Sequence, residues 1–212
     1  MYISQAFRVD EESRLHDLLR QRPLATLLSS GSSGLQVSPL PMLFDAAAGT
    51  RGALFGHMAR ANPQLQDLRA GAPCLVLFHG PQGYVSPSWY PSKARHHQVV
   101  PTWNYAVVEV RGQAQVIDDP RWLRDHVDRL TASQEARRAE PWSPADAPPE
   151  FIDRMLAMIV GVRIDIASLE GKFKFSQNRE PADRAAVLAA LDRAQDPHGN
   201  PELAAWMRAC LA

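Results

Sequence analysis

Cysteine is nearly missing: 212 residues carry only Cys74 and Cys210. One sits in an apolar, strand-like run and the other among the last residues, so neither a disulfide framework nor a cysteine-based metal knuckle can be built. Both are read as reduced, structural thiols of a cytoplasmic protein, in keeping with the burial tendency of free cysteine. An excess of either charge is missing too. Lys and Arg number 23, as do Asp and Glu, and the formal net charge is zero. No global field therefore draws the chain to nucleic acid or to an anionic membrane. Long apolar runs are lacking, since a stretch such as Cys74–Phe78 is far too short to cross a bilayer. The opening MYISQAFRVDEES has neither the basic start nor the apolar core of a secretory leader. No G-x-S-x-G elbow, Walker A loop or G-x-G-x-x-G fingerprint occurs. His96 and His97 are adjacent, so in a strand they diverge, and no Cys or carboxylate stands at zinc-ligand spacing; no metal site is expected. Ser86 and Ser88 have histidines nearby in sequence, but a hydrolytic triad is a matter of geometry that proximity in sequence does not supply.

What remains is a chain of short strands and short helices. Asp10–Gln21 reads as a helix, with Asp10 as cap, acidic residues at the positive end, and Leu15, Leu18 and Leu19 on one face. Leu24–Ser30 and Leu35–Phe44 read as strands around a turn at Gly31–Gly34, and Pro39 and Pro41 push the second toward an edge or an irregular path. Ala53–Gly56 follows as a strand. Asn62–Gly71 is a helix with Asn62 as cap, Pro63 in the first position and Gly71 after the last turn. Cys74–Phe78 is a buried strand. Val107–Ile117 alternates as a half-buried strand. Helices return at about Asp119–Ala139 and Glu150–Ile159, then the strand Val162–Leu169, then a helical tail in Ala182–Ala194 and Glu202–Leu211. This order predicts a single α+β domain spanning 1–212, with a helical insertion at about 119–160 and a helical extension at about 180–212. Many short strands between Gly/Pro turns favour a closed or partly open barrel over a doubly wound sheet.

Three stretches carry candidate chemistry. Gly56–Pro63, GHMARANP, joins a strand to a capped helix. His57 and Arg60 stand just before a helix N-terminus, where free N–H groups suit a phosphate and an arginine can grip it with two parallel hydrogen bonds. The alternative is that Asn62 only caps the helix and Arg60 is solvated. Gly80–Tyr105 gathers Tyr84, Trp89, Tyr90, Trp103 and Tyr105 among polar residues on a proline-stiffened backbone, which suits a pocket for a flat ring or a dimer interface. If the following strand runs back without a bulge, Thr102 and Asn104 share the apolar face of Val108 and Val110, where a ligand or a partner subunit would satisfy them. Glu170–Arg179, EGKFKFSQNR, is basic and follows a strand; taken singly it reads as a solvated loop.

The segments PLATL (Pro23–Leu27), GHMARANPQ (Gly56–Gln64), GPQGYVSPSWYPSK (Gly80–Lys93), VVPTWNYAVV (Val99–Val108), Leu130 and Thr131 with Glu135 and Pro141–Trp142, DAP (Asp146–Pro148) and EGKFKFSQNR together resemble the PaiB-like family, described as FMN-binding negative transcriptional regulators. YVSPSWYPSK and VPTWNY are its specific marks, and the resemblance runs in order from Met1 to about Leu191. It implies an FMN-binding split β-barrel like those of flavin reductases and pyridoxamine-phosphate oxidases, as a homodimer with FMN in clefts at the subunit interface. It further implies that His57, Arg60 and Asn62 lie at the phosphate end, that Lys93, Thr102, Trp103 and Asn104 form a wall, and that Gln177 and Arg179 close the site. ARHHQ (Ala94–Gln98) departs from the expected Lys or acidic residue, which leaves that loop's charge without a role. No residue is required to be a catalytic acid or base. Three functions stay open: an FMN-binding regulator, an FMN-dependent oxidoreductase, and a structural dimer without flavin. DNA as a partner draws no support from the balanced charge or from any helix-turn-helix pattern.

Overall fold

A computed structural model describes residues 1–32 and 34–211, with Leu211 described by its backbone only. In chain order the elements are β1 (Arg8–Val9), α1 (Glu12–Gln21), β2 (Leu24–Gly31), β3 (Gly34–Asp45), β4 (Ala53–Ala59), α2 (Gln64–Arg69), β5 (Pro73–Val85), α3 (Lys93–His96), β6 (Thr102–Ile117), α4 (Pro120–Glu135), α5 (Pro149–Ala157), β7 (Ile159–Lys174), α6 (Pro181–Leu191) and α7 (Pro201–Leu211). The strands pair in the order β1-β7-β4-β3-β2-β5-β6, and a further β7–β6 pairing closes the six strands from β7 to β6, with the two-residue β1 added on β7. Closing a sheet on itself removes the open edges that would otherwise invite pairing with other chains.

Two compact units divide the chain: Met1–Leu15, His79–Val108 and Glu170–Ala212 form the first, and His16–Phe78 with Glu109–Leu169 the second. α1, β5, β6 and β7 pass from one unit into the other as continuous elements.

In the second unit β2 and β3 form a hairpin whose ladder runs from Leu24↔Pro41 to Gly31↔Gly34. The turn expected at Gly31–Gly34 includes Ser33, which lies outside the described residues. β3 is an interior strand, yet its ladder to β4 starts only at Met42. Pro39 and Pro41, which lack an N–H, therefore lie on a stretch of β3 laddered on one side alone. Alternation along these strands sends Ala25, Leu27, Leu40, Met42, Val76 and Phe78 to the core. The opposite face keeps Leu24, Leu35 and Val37 exposed. Helix α4 docks through Trp122, which lies over Gly161 of β7. A Cβ on that glycine would stand 2.2 Å from the indole, so only glycine lets the ring lie on the strand. Leu123, Ile152 and Leu156 form a small core between α4 and α5.

In the first unit β7 continues past Leu169, and Glu170–Lys174, expected as a solvated loop, is strand. Its alternation shows why: Phe173 and Phe175 are buried while Lys172 and Lys174 are part-exposed. The chain then turns at Ser176, a non-glycine residue held in the left-handed region at φ 62°. α6 and α7 bury Val187, Leu191, Leu203 and Met207.

Candidate functional site

The first predicted cluster lies in the second unit, at the end of β4 and the start of α2. His57 Nδ1 and His126 Nε2 of α4 are 3.1 Å apart, one donating to the other. His126 is buried and stacks on Trp122 with ring centroids 5.1 Å apart and planes 13° from parallel. Burial, with His57 and Arg129 nearby, pushes the His126 imidazole down to about 4, and burial also lowers His57. Both rings are therefore neutral at pH 7. Arg60 is bonded within its own chain although its side chain is 41% exposed. Its Nη1 and Nη2 donate to the two oxygens of Asp118 at 2.6 and 2.7 Å, its Nε donates to the carbonyl of Ala157 at 2.9 Å, and Nη2 also reaches the carbonyl of Ile159. The same guanidinium holds the Asp118 carboxyl below its ordinary range. Arg60 thus ties the end of β4 to the end of β6 and to the α5–β7 junction. Asn62 Oδ1 accepts from the N–H of Gln64 at 3.0 Å, the capping role read from sequence, and its Nδ2 donates to Ser38 Oγ. Behind it, Gln64 is buried and donates to Ser29 Oγ.

The other six predicted residues lie in the first unit. The parity argument for β6 holds: Asn104 is buried on the same face as Ala106, Val108 and Val110. Its partner comes from its own chain. Asn104 Nδ2 donates to Ser176 Oγ at 2.9 Å and the hydroxyl returns a bond to Asn104 Oδ1 at 3.2 Å, so the amide needs no ligand to offset its burial. Thr102 Oγ1 accepts from Lys174 Nζ. Gln177 completes the end of β7: its Oε1 accepts from the Phe175 N–H at 2.6 Å and its Nε2 donates to the Phe173 carbonyl at 2.5 Å. Arg179 lies over the Tyr90 ring, 4.9 Å from its centroid. The Tyr90 hydroxyl is buried with no hydrogen-bond partner among the described residues. Lys93 opens α3 and is exposed. Trp103 is 52% exposed, far more than a ring of that size needs to be on a packed surface.

The structure thus joins Thr102 with Lys174, Asn104 with Ser176, and Arg179 with Tyr90. Lys174, Ser176, His126 and Asp118 had not been singled out. For Lys174 a signal existed: the Lys-Phe-Lys-Phe alternation of Lys172–Phe175 is a strand pattern that puts lysines on one face, whereas Ser176 lies past the strand at a left-handed turn that the alternation does not reach. For His126 and Asp118, far in sequence from His57 and Arg60, no spacing could have revealed the pairing.

A family model described as "Putative FMN-binding domain" matches residues 1–168. The chain belongs to this family. Among curated relatives of this FMN-binding domain, an uncharacterized protein of Emericella nidulans is 30% identical, covering 91% of this chain and 90% of that protein. The protease synthase and sporulation protein PAI 2 of Bacillus subtilis is 27% identical, covering 94% of this chain and 93% of that protein, which agrees with the PaiB-like resemblance of the segments. Among solved structures, the FAD and heme binding protein of Mycobacterium smegmatis superposes with a TM-score of 0.56 at 22% identity, over 79% of this chain and 73% of that one. The flavocytochrome Anf3 of Azotobacter vinelandii gives 0.58 at 13% identity, over 81% and 72%. These likenesses establish the fold, and it is the α+β split barrel expected from the sequence. The family's flavin, FMN, is the cofactor the sequence pointed to. The first unit fits such a group in its donor chemistry. Lys93, Lys174 and Arg179 are cations for a phosphate, Thr102 and Tyr90 carry hydroxyls, and the Tyr90 hydroxyl is still without a partner. No helix among the described residues is long and apolar enough to cross a membrane.

Proposed function

We propose that this protein binds FMN between two copies of the chain and acts as a flavin-dependent negative transcriptional regulator. The observation that carries the flavin is two pairs of cationic and hydroxyl side chains in the first unit: Lys174 with Thr102, and Arg179 over the ring of Tyr90, whose hydroxyl has no hydrogen-bond partner among the described residues. When bound, the flavin supplies the redox chemistry, and the chain's own residues bind and orient it. Lys93, Lys174 and Arg179 offset the charge of the phosphate, and Thr102 and Tyr90 direct hydrogen bonds to its oxygens. Pairing of two copies is supported by the outer face of the β2–β3 hairpin, where Leu24, Leu35 and Val37 are 64%, 68% and 54% exposed. Exposed apolar side chains along one sheet face suit an interaction surface.

A second reading, an FMN-dependent oxidoreductase, is favoured by one observation. The 23 basic and 23 acidic residues cancel, whereas a direct DNA reader needs a basic face to neutralise phosphates. On the regulatory reading the output therefore passes through flavin state or a protein partner as readily as through DNA contact. Titration of the purified protein with FMN, followed by absorbance and fluorescence, tests the cofactor. Saturable binding with a dimer mass in light scattering is expected; a featureless titration or a monomer at micromolar protein overturns the reading. NAD(P)H turnover with the flavin bound, set against a gel shift that weakens with salt, separates enzyme from regulator.

A further inference from the structure

The first unit holds an open hollow of about 430 Å³ beside Trp103. Three rings surround it. Tyr84 is 4.7 Å from His198 and 6.4 Å from Trp103, centroid to centroid, and the Tyr84 and Trp103 planes stand 75° apart. Tyr84 and Trp103 belong to the aromatic stretch singled out in the sequence. His198 comes from the loop between α6 and α7, beyond the residues that the family model matches.

The loop is fixed in place. Trp89 Nε1 donates to Asp196 Oδ2 at 3.0 Å, and Asp196 Oδ1 accepts from the His198 N–H at 2.9 Å. Asn200 Nδ2 donates to the Gln82 carbonyl at 2.9 Å while its Oδ1 accepts from the Leu203 N–H. Leu203 of α7 packs against Gly83 of β5, its side chain coming within 2.9 Å of where a Cβ on that glycine would be. The loop backbone that carries His198 is thus held without a ligand, and the rings lie in contact range of one another. Meanwhile the Gln82 side-chain amide, the Trp103 indole N–H and the His198 ring nitrogens make no hydrogen bond among the described residues. Neighbouring ring faces beside open donors and acceptors suit a flat ring with a polar edge.

We infer that Tyr84, Trp103 and His198 form a stacking site for a planar heteroaromatic ring carrying an amide or imide edge. Two sources share that chemistry, the isoalloxazine of a flavin and the nicotinamide of a reduced dinucleotide. For the isoalloxazine the inference rests on the flavin-binding reading; for the nicotinamide it does not. Riboflavin, which has the ring without the phosphate, FMN and NADH are titrated separately into wild type, Trp103→Leu and His198→Ala. Thermal melts confirm that the variants fold, as expected for two exposed side chains. Loss of a stacking ring should weaken binding by roughly 5- to 150-fold, with Trp103→Phe restoring most of it. Weaker riboflavin and FMN binding in both variants places the isoalloxazine there; weaker NADH binding alone places the nicotinamide there. FMN, riboflavin and NADH affinities that are the same in wild type and both variants overturn the inference and leave the flavin reading standing. If FMN fails to bind wild type while NADH binding depends on both rings, the flavin reading falls and the stacking site stands. If none of the three binds, both fall.

Discussion

The corner of His57, Arg60 and Asn62 and the hollow beside Trp103 were both marked in the sequence as ligand-facing, yet the fold treats them in opposite ways. At the corner the marked side chains are taken up by their own chain: His57 by His126, Arg60 by Asp118 and two carbonyls, Asn62 by Gln64 and Ser38. At the hollow the rings neighbour one another while their polar edges stay open. A residue type shows what a side chain is able to bind. Whether it remains able to depends on partners that approach from distant parts of the chain.

The corner's contribution to stability is tested by acid. His126 is held down at about 4 against an ordinary 6.5. Between those values the unfolded chain takes up a proton that the folded chain refuses, so stability rises with pH across this window. The stabilisation is complete above about pH 6.5 and is lost as the pH falls toward 4, a change of up to about 3 kcal/mol. Urea unfolding at pH 7 and pH 4.5 measures it. In His126→Phe, which keeps a ring on Trp122, the pH dependence should flatten. An unchanged acid slope in that variant would mean the histidine pair is no acid-sensitive joint.

A smaller effect tests the floor on which the open region stands. Asn104 and Ser176 close on each other in the core, and Ser176 is held at φ 62°. Asn104→Ala leaves a buried hydroxyl without its partner and should lower stability by roughly 2–3 kcal/mol. Ser176→Gly removes the same bond but relieves the left-handed backbone, so its loss should be smaller. Equal losses in the two variants would show that the backbone at Ser176 stores no strain.

Much of the fold was legible in the sequence because it rests on local signals. The cap at Asn62, glycine at Gly71 and alternation in β6 each depend on near neighbours. The loop assigned to Glu170–Lys174 failed for a local reason as well: charge was weighed above the alternation of Lys172–Phe175, which makes the segment strand. The site was less legible. Parity placed Asn104 inside correctly, but nothing near it in sequence named Ser176, 72 positions away, as its partner. Nor did any spacing bring His198 to Tyr84 or Asp118 to Arg60, because those meetings are produced by the closure of the sheet and the return of the tail.

The smallest expected effect is the one that separates the two regions directly. Arg60 was marked as a phosphate ligand, yet its fork is engaged by Asp118, with Nε and Nη2 on the carbonyls of Ala157 and Ile159. Lys174 was not marked, and it stands part-exposed beside Thr102. If partners inside the chain decide the role, Arg60→Ala should lower the melting temperature by a few degrees, and Arg60→Lys should not restore it, because a single ammonium nitrogen cannot reproduce four bonds spread over the three nitrogens of a planar fork. Lys174→Ala should leave the melting temperature nearly unchanged and weaken FMN binding about tenfold or more, as expected for a lost hydrogen bond to a charged group. Thermal melts and FMN titrations on the same three preparations give both readings. Weaker FMN binding with an unchanged melting temperature in Arg60→Ala would reverse the comparison, because Arg60 would then have to leave Asp118 when the flavin binds, and the corner would be a site that opens rather than one already closed.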